Sequence, residues 1–122
     1  MDKKSILELL EYIIFSINLI EERFLKIETS DDFIKDNKGL EKLDAISMRL
    51  QSIGEAIKNI LKLNETILLQ DTDKSYWSEI VRFRDILSHH YIDIDSEIVY
   101  DICNEELLEL KNKISKIYTS NL

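Results

Sequence analysis

Apolar residues recur every three or four positions through almost all of this chain, and no proline interrupts them. That spacing is the period of one face of an α-helix. Ile6, Leu10, Ile13, Ile17, Ile20 and Phe24 mark a first helix over roughly residues 3 to 28. Leu43, Ile46, Leu50, Ile53, Ile57 and Ile60 mark a second, from about 40 to 63. Trp77, Ile80, Val81 and Leu87 supply the apolar face of a third, from about Ser75 to His89. Ile98, Ile102, Leu107, Leu110, Ile114 and Ile117 mark a fourth, from about Glu97 to Tyr118.

The links follow from the breaks in that pattern. Ser30 reads as an N-cap, and Asp31 and Asp32 suit the first turn of a short helix through Phe33 and Ile34. Asp36-Asn37-Lys38-Gly39 closes it. Asn64 to Lys74 reads as a polar connection. Ile92 to Ser96 reads as a loop ending in an N-cap, with Glu97 just inside the next helix. Thr119 to Leu122 are expected to fray. Four long amphipathic helices, one short extra helix and short links predict an all-α antiparallel four-helix bundle. At 122 residues the chain is long enough for one real core, so a single domain over 1–122 is expected.

Gly54 lies inside the second apolar stripe, where glycine costs roughly 1 kcal/mol against alanine. Close helix–helix approach is the simpler reason for it, and a substrate role the other.

Charge and cysteine usage limit the partners. The net charge of −8 argues against a sequence-independent nucleic-acid binder, which usually shows a basic face. It leaves room for a nuclease with a small basic cleft, and it favours a basic protein partner. The single cysteine, Cys103, excludes an intrachain disulfide and fits a reducing cytoplasm, where the chain is expected. It lies on the stripe side of the fourth helix and reads as a small core residue. No apolar run approaches the ~20 residues that a membrane span needs. The amino terminus lacks the uninterrupted apolar core of a signal peptide.

The chemistry concentrates in Arg84-Asp85-Ile86-Leu87-Ser88-His89-His90-Tyr91. A guanidinium can hold a phosphate through two parallel hydrogen bonds, and an imidazole can move a proton near neutral pH. Together they can cleave a phosphodiester without a metal. Asp85 and His89 are four apart and share a helix face, so the carboxylate is placed to orient the imidazole. Arg84 and His89 are five apart and diverge by roughly 140°. One copy therefore offers a shallow constellation, and two copies across a two-fold axis would make a cleft.

Other chemistries find less support. Glycine-rich phosphate loops, paired cysteines and helical His-x-x-x-His or Glu-x-x-His pairs are absent from the sequence, so no metal site and no cofactor is expected. His89 and His90 point about 100° apart and cannot share a metal from a regular helix. The glutamate-rich faces, such as Glu21-Glu22 and Glu105-Glu106, read as solvated surface. The octapeptide has a bland reading too, as basic groups placed favourably near a helix carboxy terminus.

In order and spacing, nearly the whole chain resembles the HEPN superfamily, and within it the HepT-like toxins. The resemblance rests on an Arg-x4-His-x-Tyr motif at Arg84, His89 and Tyr91, on Ile53-Gly54-Glu55-Ala56, on Trp77 seven residues before the arginine, and on Ile92-Asp93 just after the tyrosine. Asp85 fits the Asn or Asp usual at its place, whereas Tyr76 stands where the family often has proline. The resemblance implies a HEPN-like homodimer with the motif at the dimer cleft. It implies a metal-independent endoribonuclease, the toxin of a two-gene toxin–antitoxin pair. The expected partner is an MntA-like nucleotidyltransferase antitoxin, which transfers AMP onto the motif tyrosine, here Tyr91.

On that reading Arg84 binds the scissile phosphate of the RNA substrate and His89 is the general base or acid. Asp85 orients His89 or binds ribose. Glu55 either faces the same cleft or serves packing and solubility. Two rivals stand beside it: a non-catalytic HEPN-like accessory subunit of a nucleotidyltransferase, which the acidic charge favours, and a plain helical dimerisation module.

Overall fold

A computed structural model of the chain describes residues 3–87 and 92–122. Helix α1 spans Lys3–Phe24, α2 Asn37–Leu69, α3 Lys74–Leu87, α4 Ile92–Asp101 and α5 Leu107–Ser120. A 3-10 turn at Ser30–Phe33 joins α1 to α2, and a π-helical turn at Ile102–Glu106 joins α4 to α5. Among the described residues there is no strand, so the all-α bundle is what forms.

The apolar stripes account for the packing. Ile6, Leu10, Ile13, Ile17 and Ile20 are buried on α1, and Leu43, Ile46, Leu50, Ile53, Ile57 and Ile60 on α2. Helix α2 packs against α1 and against α3, and α1 packs against α5. Polar pairs show the directions. Glu65 meets Lys74 and Glu55 meets Arg84, so α3 runs antiparallel to α2. Glu21 meets Lys111 and Glu11 meets Tyr118, so α5 runs antiparallel to α1.

Several boundaries differ from those the periodicity suggests. Helix α1 stops at Phe24, short of 28. Thr29, not Ser30, is the N-cap of the 3-10 turn, because the Asp32 carboxylate folds back to accept from the Glu28 and Thr29 N–H groups at 2.8 and 3.1 Å. Lys35 Nζ adds a bond to Asp32 at 2.8 Å. With Lys35 the largest cause and the two N–H groups next, the Asp32 carboxyl is lowered to about 2. Asp36 does not close the short helix. It caps α2, accepting from the Gly39 N–H at 2.8 Å. Gly39 falls in the first turn of α2 against the 3-10 turn, and a Cβ there would collide with the Asp32 carbonyl oxygen.

The expected connection over 64–74 is mostly helix. Asn64 breaks the α2 geometry, with φ −159° and ψ 82°, yet the helix resumes because Ile67 and Leu68 have core to bury. Only Gln70 to Asp73 link α2 to α3. Trp77, fully buried, donates its indole N–H to the Leu68 carbonyl at 2.9 Å. That carbonyl lies in the last turn of α2, where no intrahelical donor reaches it. Tyr76, in the place of the family's proline, sets its ring edge-on to Trp77 at 5.1 Å.

The expected loop over 92–96 is also helix: α4 begins at Ile92, and Asp95 and Ser96 are buried within it. The fourth helix is therefore two helices with a π turn between them. There the Leu107 N–H donates to the Ile102 carbonyl, one residue beyond the α-helical reach. The extra residue lets Ile102 and Leu107, five apart, both face the core. Cys103 in this turn is half-buried against the core, and burial pushes its thiol up to about 12. The carboxy terminus is held rather than frayed through Ser120, with Asn121 Nδ2 donating to the Ile117 carbonyl at 2.8 Å.

Candidate functional site

Arg84 occupies the last turn of α3, and its position is set from α2. A Cβ on Gly54 would lie 3.2 Å from the Arg84 Cβ, with the Ile80 and Val81 carbonyls at 3.5 and 3.7 Å. Close approach is therefore what Gly54 serves, and the residue it lets in is the motif arginine. Glu55, next in sequence, receives Arg84 Nη1 in a short ion pair. Four residues earlier on the same face, Gln51 Nε2 donates to the Leu87 carbonyl at 3.5 Å, at the carboxy end of α3. Gln51, Gly54 and Glu55 thus make a cradle on α2 for the end of α3.

The other side of the guanidinium meets Asp85. Its Oδ1 accepts from Arg84 Nε at 3.4 Å and Nη2 at 3.3 Å, a long and forked contact. Glu55 first and Asp85 second raise the Arg84 pKa, so the group is cationic at every physiological pH. The Arg84 side chain remains 29% exposed and Asp85 67% exposed. A cation tied firmly on one edge and loosely on the other can accept an oxyanion on the loose edge without losing its place.

Ser88, His89, His90 and Tyr91 lie outside the described residues, so the expected pairing of Asp85 with His89 and the placement of Tyr91 are not described. Of the named site residues, Arg84 and Asp85 stand together at the end of α3, on the side of α2 that carries Glu55. Gln51 was missed by the sequence reading; its signal is the four-residue spacing to Glu55. Among the described residues no group of three or more His, Cys, Asp or Glu side chains is placed to hold a metal ion. Nor is any described helix long and apolar enough to cross a membrane.

Residues 13–117 match the family described as ribonuclease HepT-like. The chain belongs to the HepT-like ribonuclease family. Among its HepT-like relatives is a probable ribonuclease HepT of Thermococcus cleftensis, 35% identical over 115 residues, covering 94% of this chain and 97% of that protein. A gamma-glutamylcyclotransferase and putative RNase of Methanocaldococcus jannaschii is 34% identical over 116 residues, covering 94% of this chain. This HepT-like chain spans about half of that longer protein, 48%. A putative RNase of Caldanaerobacter subterraneus subsp. tengcongensis is 31% identical over 108 residues, 88% of this chain and 89% of that protein. No solved structure is significantly similar to the chain.

Proposed function

We propose that this protein is a metal-independent endoribonuclease, the toxin of a two-gene toxin–antitoxin pair, silenced by AMP transfer onto Tyr91. The observation that carries the reading is Arg84, held by Glu55 on one edge and only loosely by Asp85 on the other, in a chain of the HepT-like ribonuclease family. Arg84 binds the scissile phosphate and stabilises the charge that builds on it. His89 takes the proton of the adjacent 2′-hydroxyl, whose oxygen attacks phosphorus. The bond to the 5′-oxygen breaks and that oxygen takes up a proton, leaving a 2′,3′-cyclic phosphate and a 5′-hydroxyl. Asp85 orients His89 once a phosphate has taken its place on Arg84.

The protein acts in the cytoplasm as a homodimer, in which a second copy completes the shallow surface around Arg84 into a cleft. Control comes from an MntA-like nucleotidyltransferase antitoxin. The Tyr91 phenol oxygen attacks the α-phosphorus of ATP and pyrophosphate leaves. The AMP adduct adds a bulky anion that blocks RNA and repels its phosphates.

The test is incubation of the partner-free protein with total RNA in EDTA. Cleavage should persist and leave cyclic phosphate ends. Arg84→Ala and His89→Ala should each lose on the order of 10²-fold or more. A wild type and a His89→Ala variant that cleave alike would overturn the mechanism. A wild type inert on every RNA, yet required for nucleotide transfer by its partner, would favour the accessory-subunit reading.

A further inference from the structure

Glu55 begins a stripe on the outer face of α2. Asn59 follows it by four residues and Lys62 by seven, so the three side chains share one face. The helical rise puts Asn59 about 6 Å and Lys62 about 10 Å from Glu55 along the axis. Asn59 and Lys62 are exposed, and both line a groove of about 590 Å³ between α1 and α2. Leu9, Tyr12 and Leu63 form its apolar walls, and Glu8 also borders it.

Tyr12 is fixed without being covered. Arg49 Nη1 donates to its hydroxyl at 3.4 Å, and the guanidinium carbon lies 5.9 Å from the ring centroid. Tyr12 remains 38% exposed, and Phe15, one turn along α1, is 55% exposed. Arg49 touches that ring as well, at 5.6 Å. An exposed, oriented aromatic ring beside aliphatic walls suits the π face of a base. An amide offers a donor and an acceptor to a base edge, and an ammonium suits a phosphate. The charged Lys62 and Glu8 are out of place in the core of an interface between copies, where charge is depleted.

We infer that the groove between α1 and α2 is a nucleotide subsite that takes an unpaired base of the RNA strand whose scissile phosphate lies on Arg84. The inference rests on the ribonuclease reading above. The stripe from Glu55 to Lys62 joins the two: the carboxylate that holds Arg84 stands one turn from the groove. An extended single strand leaving Arg84 along α2 enters it, whereas a duplex keeps its bases stacked inside and does not.

The test uses a single-stranded oligonucleotide methylated at every 2′-oxygen, which binds without being cut, followed by fluorescence anisotropy. Tyr12→Ala should bind it about ten-fold more weakly, and Tyr12→Phe, which keeps the ring, should restore binding. Lys62→Glu should weaken binding, most at low salt. The same sequence as a duplex should compete poorly. Tyr12→Ala and Lys62→Glu variants that are folded and bind as wild type would overturn the subsite. So would a Tyr12→Ala variant that turns a dimer into a monomer by light scattering, because the groove would then seat a second copy. If the wild type binds through Tyr12 but cleaves no RNA, the subsite stands and the ribonuclease reading fails. Cleavage by a wild type whose binding ignores Tyr12 reverses that outcome.

Discussion

Gly54 on α2 and Arg84 on α3 are packed so closely that a Cβ on the glycine would stand 3.2 Å from the Cβ of the arginine. The neighbour it meets is the root of a side chain on a packed helix, which cannot swing aside as a side-chain tip can. A methyl group at 54 therefore moves α3 by a few tenths of an ångström where the guanidinium is anchored.

Gly54→Ala separates stability from activity. The substitution gains roughly 1 kcal/mol of helix propensity, which offsets the tighter contact. The melting temperature should stay within about 5 °C of wild type. RNA cleavage should fall about ten-fold, because a displaced guanidinium no longer meets the phosphate in line. Gly54→Leu should not fold. Calorimetry and a cleavage assay check both, and an alanine variant with full activity would show that this contact does not place Arg84.

Trp77→Phe should destabilise the fold. It deletes part of a fully buried ring and leaves the Leu68 carbonyl without its donor. A loss of about 2–3 kcal/mol is expected from the missing volume and the lost hydrogen bond together. Urea titration should show a lower midpoint with an unchanged slope. An unchanged midpoint would mean that another donor serves Leu68.

Asp32 makes the α1–α2 link sensitive to acid. Its carboxyl is lowered in the fold from 3.8 to about 2. A depressed pKa contributes stability that is present above the unfolded value and is lost as pH falls through the folded one. Wild type should therefore lose more of its urea midpoint than Asp32→Asn between pH 5 and pH 2, the two converging at the acid end. Parallel pH profiles would show that the Lys35 and N–H contacts of Asp32 contribute nothing in solution.

Tyr91→Phe tests the proposed control. The variant keeps the ring and loses the oxygen that would carry AMP. It should retain at least part of its ribonuclease activity and resist neutralisation by a nucleotidyltransferase partner supplied with ATP. Intact-mass spectrometry of the co-expressed wild type should show whole AMP additions that the variant lacks. An adduct mapped to Tyr76, Tyr100 or Tyr118 would refute the assignment.

The buried faces were legible because isoleucine and leucine at helical spacing leave no other surface to bury. Ile13, Ile17, Ile46, Ile53, Ile57 and Ile114 are all buried where that spacing puts them. The ends were less legible, since caps compete locally: Thr29 caps the 3-10 turn in place of Ser30, and Asp36 caps α2 where the pattern of Asp36 to Gly39 suggests a closing turn. The break at Asn64 falls where the apolar pattern stops, but the return to helix beyond it was hidden, because it depends on core that only the fold offers to Ile67 and Leu68. At the candidate site, Arg84, Gly54 and Glu55 were visible individually. Their mutual contact was not, because it depends on the register of two antiparallel helices. The π turn had left a trace, the gap of five between Ile102 and Leu107 in an otherwise three-and-four rhythm.

That gap has a consequence for how the chain tolerates changes of length. A π turn is an α-helix that has absorbed one residue, so the segment upstream of Ile102 and the segment downstream of Leu107 are already out of phase by one position. Removing a single exposed residue there, such as Asn104, restores an unbroken four-residue step and keeps both apolar faces turned inward. The same deletion within α1 or α2 would rotate everything beyond it by about 100° and turn core outward. The seam between α4 and α5 is thus a helical stretch where this sequence can shorten by a residue without inverting a face.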